Sequence, residues 1–235
     1  MMLIVTGLAV ALASALPAEA APASLPPVIV SVVEAPGVPG AIVTHLLAEA
    51  AEIWRAAGVA FLWERTTARH AVPDPRTADS GPVLPSRLRV IVGDDKGVAR
   101  DHRTPLGWIV FEGERNPLPE IYLSHLNASQ LLAASRSVVG MIEQMPVMRR
   151  EQLVARAMGR ALAHELGHYL LASKVHTKRG VLQASRSAAE LFAQNRGAFS
   201  VDLWQRHTIA ARLTGEPAVA KWEKPGRKNP QEERQ

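Results

Sequence analysis

The sequence predicts an α+β fold in which a mixed, mostly parallel sheet is backed by one helix and carries a second, longer helix. A β-branched segment at 28–35 is followed by an amphipathic helical pattern at 41–57 and by a second strand-like segment at 59–64. A helical crossover of this kind joins parallel strands. Further strand-like segments then precede a long helical segment, which starts near Pro146 and extends to about Ala172.

The remaining elements follow from local signals. Gly58 ends the first helix, and residues 66–86 are rich in Pro, Asp and Thr, which is typical of an exposed loop. The later strands are expected at 87–92, 106–111 and 120–125. Residues 127–145 are rich in small residues and favour no element. After Ala172 an irregular stretch leads to Ser200, which is expected to cap a final helix ending at Leu213.

These patterns divide the chain into five parts. They are a signal peptide (1–20), a Pro- and Ala-rich spacer (21–27), an N-terminal subdomain that ends with the long helix (28–172), a small irregular and helical C-terminal subdomain (173–215) and a polar tail (216–235).

The first twenty residues form an apolar run that ends in Ala18-Glu19-Ala20, the small-x-small pattern of a signal peptidase site. We therefore expect cleavage after Ala20, a secreted or periplasmic protein, and no stable membrane association afterwards. No Lys or Arg precedes the run, and an uncleaved membrane anchor is the alternative. The run is short for that role, since a membrane span needs about 20 predominantly apolar residues.

Composition restricts the chemistry. The 235 residues include 47% hydrophobic and 21% charged residues, as in an ordinary folded protein. The net charge of +5 comes from scattered basic residues, so no nucleic-acid partner is predicted. The absence of cysteine excludes disulfides and thiolate ligands. Any metal must be held by His, Asp or Glu.

The long helical segment contains the motif H-E-x-x-H, formed by His164, Glu165 and His168. Histidines four residues apart lie on one helix face, where both imidazoles reach a single ion at about 2.0–2.1 Å. Glu165 is rotated by roughly 100° from His164, which favours contact with a water rather than with the metal. The pattern predicts a zinc site at which Glu165 acts as general base in hydrolysis of an amide.

A tetrahedral catalytic zinc site needs a third protein ligand. His176 lies close enough in sequence for the chain to leave the helix and return to the ion. Glu190, in the helix-compatible segment 188–191, is the alternative ligand. Asp202 and His207 belong to the last predicted helix and are expected to face solvent.

With these residues the sequence resembles the zincin metallopeptidases, and specifically a divergent member of the metzincin group. The order of strand, helix, several strands and motif helix is similar to the metzincin N-terminal subdomain, and HELGH with a later histidine is similar to H-E-x-x-H-x-x-G-x-x-H. The resemblance implies that His164, His168 and His176 bind zinc, that Glu165 is the general base, and that a peptide or protein is the substrate. The peptide would pair with an exposed strand, for which 106–111 is the candidate; an ordinary edge strand without a ligand is the alternative.

The chain departs from the family pattern at three positions. Leu171 stands where the family has glycine, Lys174 stands where it has the third ligand, and His176 comes two residues later. The family also has a methionine turn below the metal, for which Gly180-Val181-Leu182-Gln183 is the nearest candidate, with Leu182 in place of methionine. Two other functions therefore stay open: a catalytically silent zinc-binding or interaction protein, and a gluzincin-type peptidase that uses Glu190.

Overall fold

Five strands form one mixed sheet in the computed structural model, which describes residues 25–67, 88–94 and 105–216. The strands are β1 (Val28–Glu34), β2 (Phe61–Thr67), β3 (Leu88–Gly93), β4 (Gly107–Phe111) and β5 (Pro117–Ser124). Their spatial order is β2-β1-β3-β5-β4, and only β4 is antiparallel to its neighbour. This confirms the predicted mixed, mostly parallel sheet in an α+β fold.

Six α-helices accompany the sheet in these residues. They are α1 (Gly40–Arg55), α2 (His125–Ala134), α3 (Arg136–Val139), α4 (Val147–Leu171), α5 (Ala188–Phe192) and α6 (Leu203–Thr214). Short 3-10 turns at Ile142–Gln144 and Gly197–Phe199 complete the regular structure. No helix in the described ranges is long and apolar enough to span a membrane.

The predicted crossover and long helix are confirmed. Helix α1 connects the parallel strands β1 and β2, and α4 begins directly after Pro146. The two helices pack closely because Gly159 on α4 has no side chain; a Cβ there would lie 2.6 Å from the Leu46 carbonyl oxygen. Trp54 of α1 is fully buried and donates from Nε1 to the carbonyl of Ala163 at 3.1 Å. The backing helix thereby fixes α4, which carries the H-E-x-x-H motif.

Several boundaries differ from the predictions. Helix α2 occupies much of the segment that favoured no element, and it begins at once after β5 because the Ser124 hydroxyl accepts from the Asn127 N–H at 3.2 Å. The last helix starts after Asp202 rather than Ser200, since Asp202 and Gln205 form a reciprocal capping box. Thr66 and Thr67, expected in a loop, belong to β2. The signal peptide (1–20), most of the predicted loop at 66–86 and most of the tail at 216–235 lie outside the described residues.

A buried charge network ties the chain beyond α4 to the two packed helices. Glu49 on α1 accepts from Arg160 Nε at 3.0 Å and from Arg196 Nη2 at 2.7 Å. Arg160, whose side chain is fully buried, also donates to the carbonyls of Ala193 and Asn195 at 2.9 and 2.8 Å. Both carboxylate oxygens of Glu49 are thus paired, as a buried charge requires. The segment after α4 is held against the helix on which the motif lies.

Candidate metal centre

The three predicted histidine ligands lie together. His164 and His168 share a face of α4, and His176 approaches from the loop after the helix. The ring centroid of His176 lies 5.3 Å from that of His164 and 4.9 Å from that of His168. One ligand atom from each of the three lies within 4.8 Å of the others, so the cluster is able to hold a metal ion.

The two helical imidazoles are oriented by backbone carbonyls. Nδ1 of His164 lies 2.9 Å from the carbonyl oxygen of Val181, and Nδ1 of His168 lies 2.6 Å from that of Ser173. A carbonyl only accepts, so each Nδ1 carries the proton and each Nε2 keeps its lone pair. The two Nε2 atoms face each other at 3.0 Å, close to the roughly 3.3 Å between two nitrogens on one tetrahedral zinc. Two facing lone pairs repel unless a cation lies between them, so this donor set fits a metal.

Burial keeps the helical imidazoles neutral. Burial, with the neighbouring His168 as a lesser cause, lowers the pKa of His164 to about 3. Burial also lowers the pKa of His168 and, less deeply placed, that of His176. A metal ligand must be the neutral imidazole, and at neutral pH no proton competes for these nitrogens.

A left-handed residue explains how the displaced His176 reaches the cluster. Helix α4 ends at Leu171, and Ala172 adopts φ 45°, the only positive φ of a non-glycine residue in the described ranges. The N–H of Ser173 then donates to the His168 carbonyl at 3.2 Å, which turns the chain back along the helix. The turn comes directly after Leu171, and His176 follows it.

Glu165 lies between α4 and the edge strand β4. Its side chain is buried, and a Cβ at Gly107 of β4 would lie 3.4 Å from its Cγ. Burial raises the pKa of Glu165 to about 8, and a hydrogen bond from the backbone of Ile109 partly opposes this. A cation at the histidine cluster would favour the carboxylate form. The acid group of the motif therefore faces the strand along which a substrate is expected.

The turn predicted to support the metal lies against the motif helix. Val181 supplies the carbonyl that orients His164, and Leu182 is buried against Gly167. A Cβ at Gly167 would lie only 2.8 Å from Leu182 Cδ2, so the glycine between the two motif histidines lets the turn approach. Leu182 thus packs directly under the part of α4 that carries the histidines.

Glu190, the alternative third ligand, is not part of the cluster formed by the described residues. Its Oε2 accepts from the backbone N–H and the hydroxyl of Ser187, both at 2.9 Å, which caps α5. Its Oε1 accepts from Arg186 Nη1 at 2.9 Å. These hydrogen bonds, first that from the Ser187 backbone, lower the pKa of Glu190 and occupy both of its carboxylate oxygens. The prediction of Glu190 as a ligand is therefore not supported, and the Ser187-x-x-Glu190 capping signature already pointed to its structural role.

Arg186 is a supporting residue that sequence reasoning missed. Its Nη2 donates to the carbonyl of Gly180, at the start of the turn below His164, and to that of Ala198 at 2.8 Å. Its guanidinium stacks 4.4 Å above the ring of Phe199. Arg186 and Glu190 together hold the turn that orients a predicted ligand. No local pattern signals this role, because the acceptors at Gly180 and Ala198 are backbone carbonyls, which any residue type supplies.

Edge strand β4 lies beside Glu165 and the histidine cluster. It pairs with β5 at the end of the sheet order, as expected for the candidate substrate strand. Phe111, at its end, meets the His168 ring edge to face at 6.4 Å. Lys174, from the loop on the other side, places Nζ 5.6 Å above the Phe111 ring. The strand therefore lies beside both parts of the site: Gly107 is next to Glu165, and Phe111 is next to the histidine cluster.

The other predicted side chains lie apart from the cluster. Asp202 caps α6, and His207 is exposed on that helix. Comparison of the chain with known protein families and with curated protein sequences gives no match.

Proposed function

We propose that the protein is an exported zinc metallopeptidase of the metzincin type. The observation that carries the proposal is the cluster of His164, His168 and His176, in which carbonyls fix both helical imidazoles with Nε2 atoms converging. Glu165, next to the first ligand and below an edge strand, supports a hydrolytic rather than a purely structural site. Export rests on the apolar run that ends at Ala20.

Zinc is the proposed metal because three neutral imidazole nitrogens leave an open position and the chain has no sulfur ligand from cysteine. Such an ion supplies Lewis acidity and makes water a nucleophile near neutral pH. The chain supplies the orientation through the carbonyls of Val181 and Ser173, which hold the ligands in one tautomer.

Glu165 is proposed as the general base. Its carboxylate takes the proton of the attacking water and passes it to the leaving amine nitrogen. Burial between α4 and β4 excludes bulk water and keeps its pKa near the operating range, which is favourable for proton transfer. Gly107 leaves room for the carboxyl group beneath the strand.

The proposed substrate is an extended peptide that pairs with β4. An edge strand offers unpaired backbone groups to a peptide, which adds as another strand. β4 passes both Glu165 and the ring that contacts His168, so a peptide along it would cross the metal cluster. This arrangement favours a peptide substrate over a compact small molecule.

The decisive experiment separates chemistry from metal binding. Glu165→Gln keeps the size of the side chain but accepts no proton, so bound zinc should stay near one ion per chain while hydrolysis falls by about 10² to 10⁴. Elemental analysis measures the zinc, and a quenched-peptide library assayed with and without chelator measures the hydrolysis.

Two further variants test the ligand set. His176→Ala should lose both zinc and activity, because it removes a ligand. Glu190→Gln keeps one oxygen that can cap α5 but gives up the ion pair with Arg186, so zinc binding and activity should fall far less than in His176→Ala. Zinc loss in Glu190→Gln with retention in His176→Ala would instead indicate the gluzincin-type site. One bound zinc without chelator-sensitive cleavage of any peptide would favour the silent binding protein.

A further inference from the structure

The loop that carries the third histidine is strongly basic. Lys174, Lys178 and Arg179 are exposed and lie within three residues of His176. No acidic residue occurs between Ser173 and Ala189, so the loop holds no carboxylate of its own to balance them. The positive charge therefore lies on the segment that carries the third proposed ligand.

Lys174 is the member of this group whose contacts place it beside the histidine cluster. Its Nζ lies over the face of Phe111, and the edge of that ring faces His168. The Phe111 ring, at the end of β4, thus lies between the ammonium group and His168, a proposed metal ligand. If a peptide pairs with β4, one of its side chains near the scissile bond would lie close to the Lys174 ammonium group.

Lys174 forms a weak ion pair in the structure. Nζ lies 3.7 Å from Oε1 of Glu114, whose side chain is 89% exposed. Exposed ion pairs of this kind contribute little to stability, so a substrate carboxylate replaces Glu114 at small cost. Glu112 adds a second negative charge on the hairpin between β4 and β5, and Arg115 offsets it. Lys178 and Arg179 add two further positive charges to the loop that carries Lys174.

From this placement we infer that the site selects peptides with an acidic side chain at the position that lies against Phe111 and Lys174. The inference rests on the proposed peptidase function and names its substrate class. Lys174 recognises the carboxylate directly, and Lys178 and Arg179 raise the local concentration of acidic peptides. Apolar contact with Phe111 accommodates the methylene part of a glutamate side chain.

The test uses the zinc-loaded protein and matched quenched peptides that differ only in Glu, Gln or Lys at each position around the cleaved bond. At one position the wild type should cleave the Glu peptide about threefold better than the Gln peptide by kcat/KM, the size of an exposed ion pair. Lys174→Glu should shift that ratio about tenfold towards the Gln and Lys peptides, because attraction becomes repulsion. High salt should reduce the wild-type preference.

The control variant is Arg55→Glu, which makes the same charge change at the end of α1, where the side chain is 70% exposed. It should leave the peptide ratios unchanged; an equal shift there would overturn the inference, since only overall charge would then matter. An equal rate for Glu and Gln peptides at every position would also overturn it, while leaving the peptidase proposal intact.

A binding measurement tests the preference for acidic peptides independently of the proposed peptidase activity. Fluorescence anisotropy with Glu165→Gln protein measures affinity for the same peptides without turnover. Tighter binding of Glu peptides that disappears in the Glu165→Gln, Lys174→Glu double variant supports the inference even if the wild type cleaves nothing. Equal affinities for the Glu and Gln peptides in this assay would contradict it.

Discussion

Substitutions of Leu182 test whether the turn below the motif depends on the shape of the Leu182 side chain. The residue is buried against Gly167, between the two helical histidines, and follows the carbonyl that orients His164. Leu182→Met nearly conserves volume and should change the free energy of unfolding by less than about 1.5 kcal/mol, with zinc affinity retained. Leu182→Ala should cost about 2–5 kcal/mol and weaken zinc binding, because the turn loses its contact with α4.

Urea denaturation of the zinc-free proteins measures the first effect, and competition with a zinc-binding dye measures the second. The methionine variant serves as the control for the alanine variant. Unchanged zinc affinity in Leu182→Ala would mean that the turn holds its carbonyl without this packing, and would remove Leu182 from the supporting structure.

The predictable part of the site is the part set by short sequence separations. A helix fixes the distance between His164 and His168, and His176 needs only one turn of chain to return. Sequence spacing favoured His176 and left Glu190 as the alternative; the left-handed Ala172 and the capping of α5 by Glu190, which favour His176 further, became visible only in the structure. The contact of Lys174 with Phe111 was not predicted for a related reason, because it joins segments that are distant in sequence.

Among the secondary-structure elements, the turn at Gly180–Gln183 depends on Arg186. This arginine donates to the Gly180 carbonyl and pairs with Glu190 across the loop. Arg186→Gln should reduce zinc affinity by about 10- to 100-fold, the range for loss of a group that orients a ligand, since Val181 is then less well placed for His164. Helix content by circular dichroism should stay the same.

Arg206→Gln is the matched control for this arginine. Arg206 also donates to a backbone carbonyl in the C-terminal part of the chain, that of Val201 at 3.2 Å, but binds neither Gly180 nor Glu190. Dye competition should give it wild-type zinc affinity. If both variants lose zinc equally, the effect reflects general loosening of the C-terminal segment, and the specific role of Arg186 is wrong.

Helices and strands with strong periodicity were predicted well, and the weakly patterned ones were not. Apolar spacing identified α1 and α4, and β-branched runs identified β1 and β3 to within a few residues. Helix α2 lacks a clear apolar face and is specified by its Ser124 cap and its position after β5. The start of α6 depends on a reciprocal pair, Asp202 and Gln205, which competes with Ser200.

For the molecule as a whole, strand order was the information that local pattern did not contain. β4 precedes β5 in the chain but lies outside it at the sheet edge, whereas β3 pairs with both β1 and β5. Pairing over such distances is decided by packing of the complete sheet against α1 and α4. The edge position matters for function, because it leaves β4 accessible beside the metal cluster.

Metal binding should stabilise the whole fold, since the three ligands connect α4 to the loop that follows it. Zinc at about 1,000 times its dissociation constant adds about 4 kcal/mol to the free energy of unfolding. For a domain of this size the melting temperature should then rise by on the order of 10 °C over the chelated protein. Scanning calorimetry with and without zinc measures the difference.

His176→Ala should melt near the chelated wild type and show a much smaller rise with zinc, because the exposed His176 contributes to stability mainly as a ligand. An equal rise in wild type and variant would mean that His176 does not bind the ion in solution.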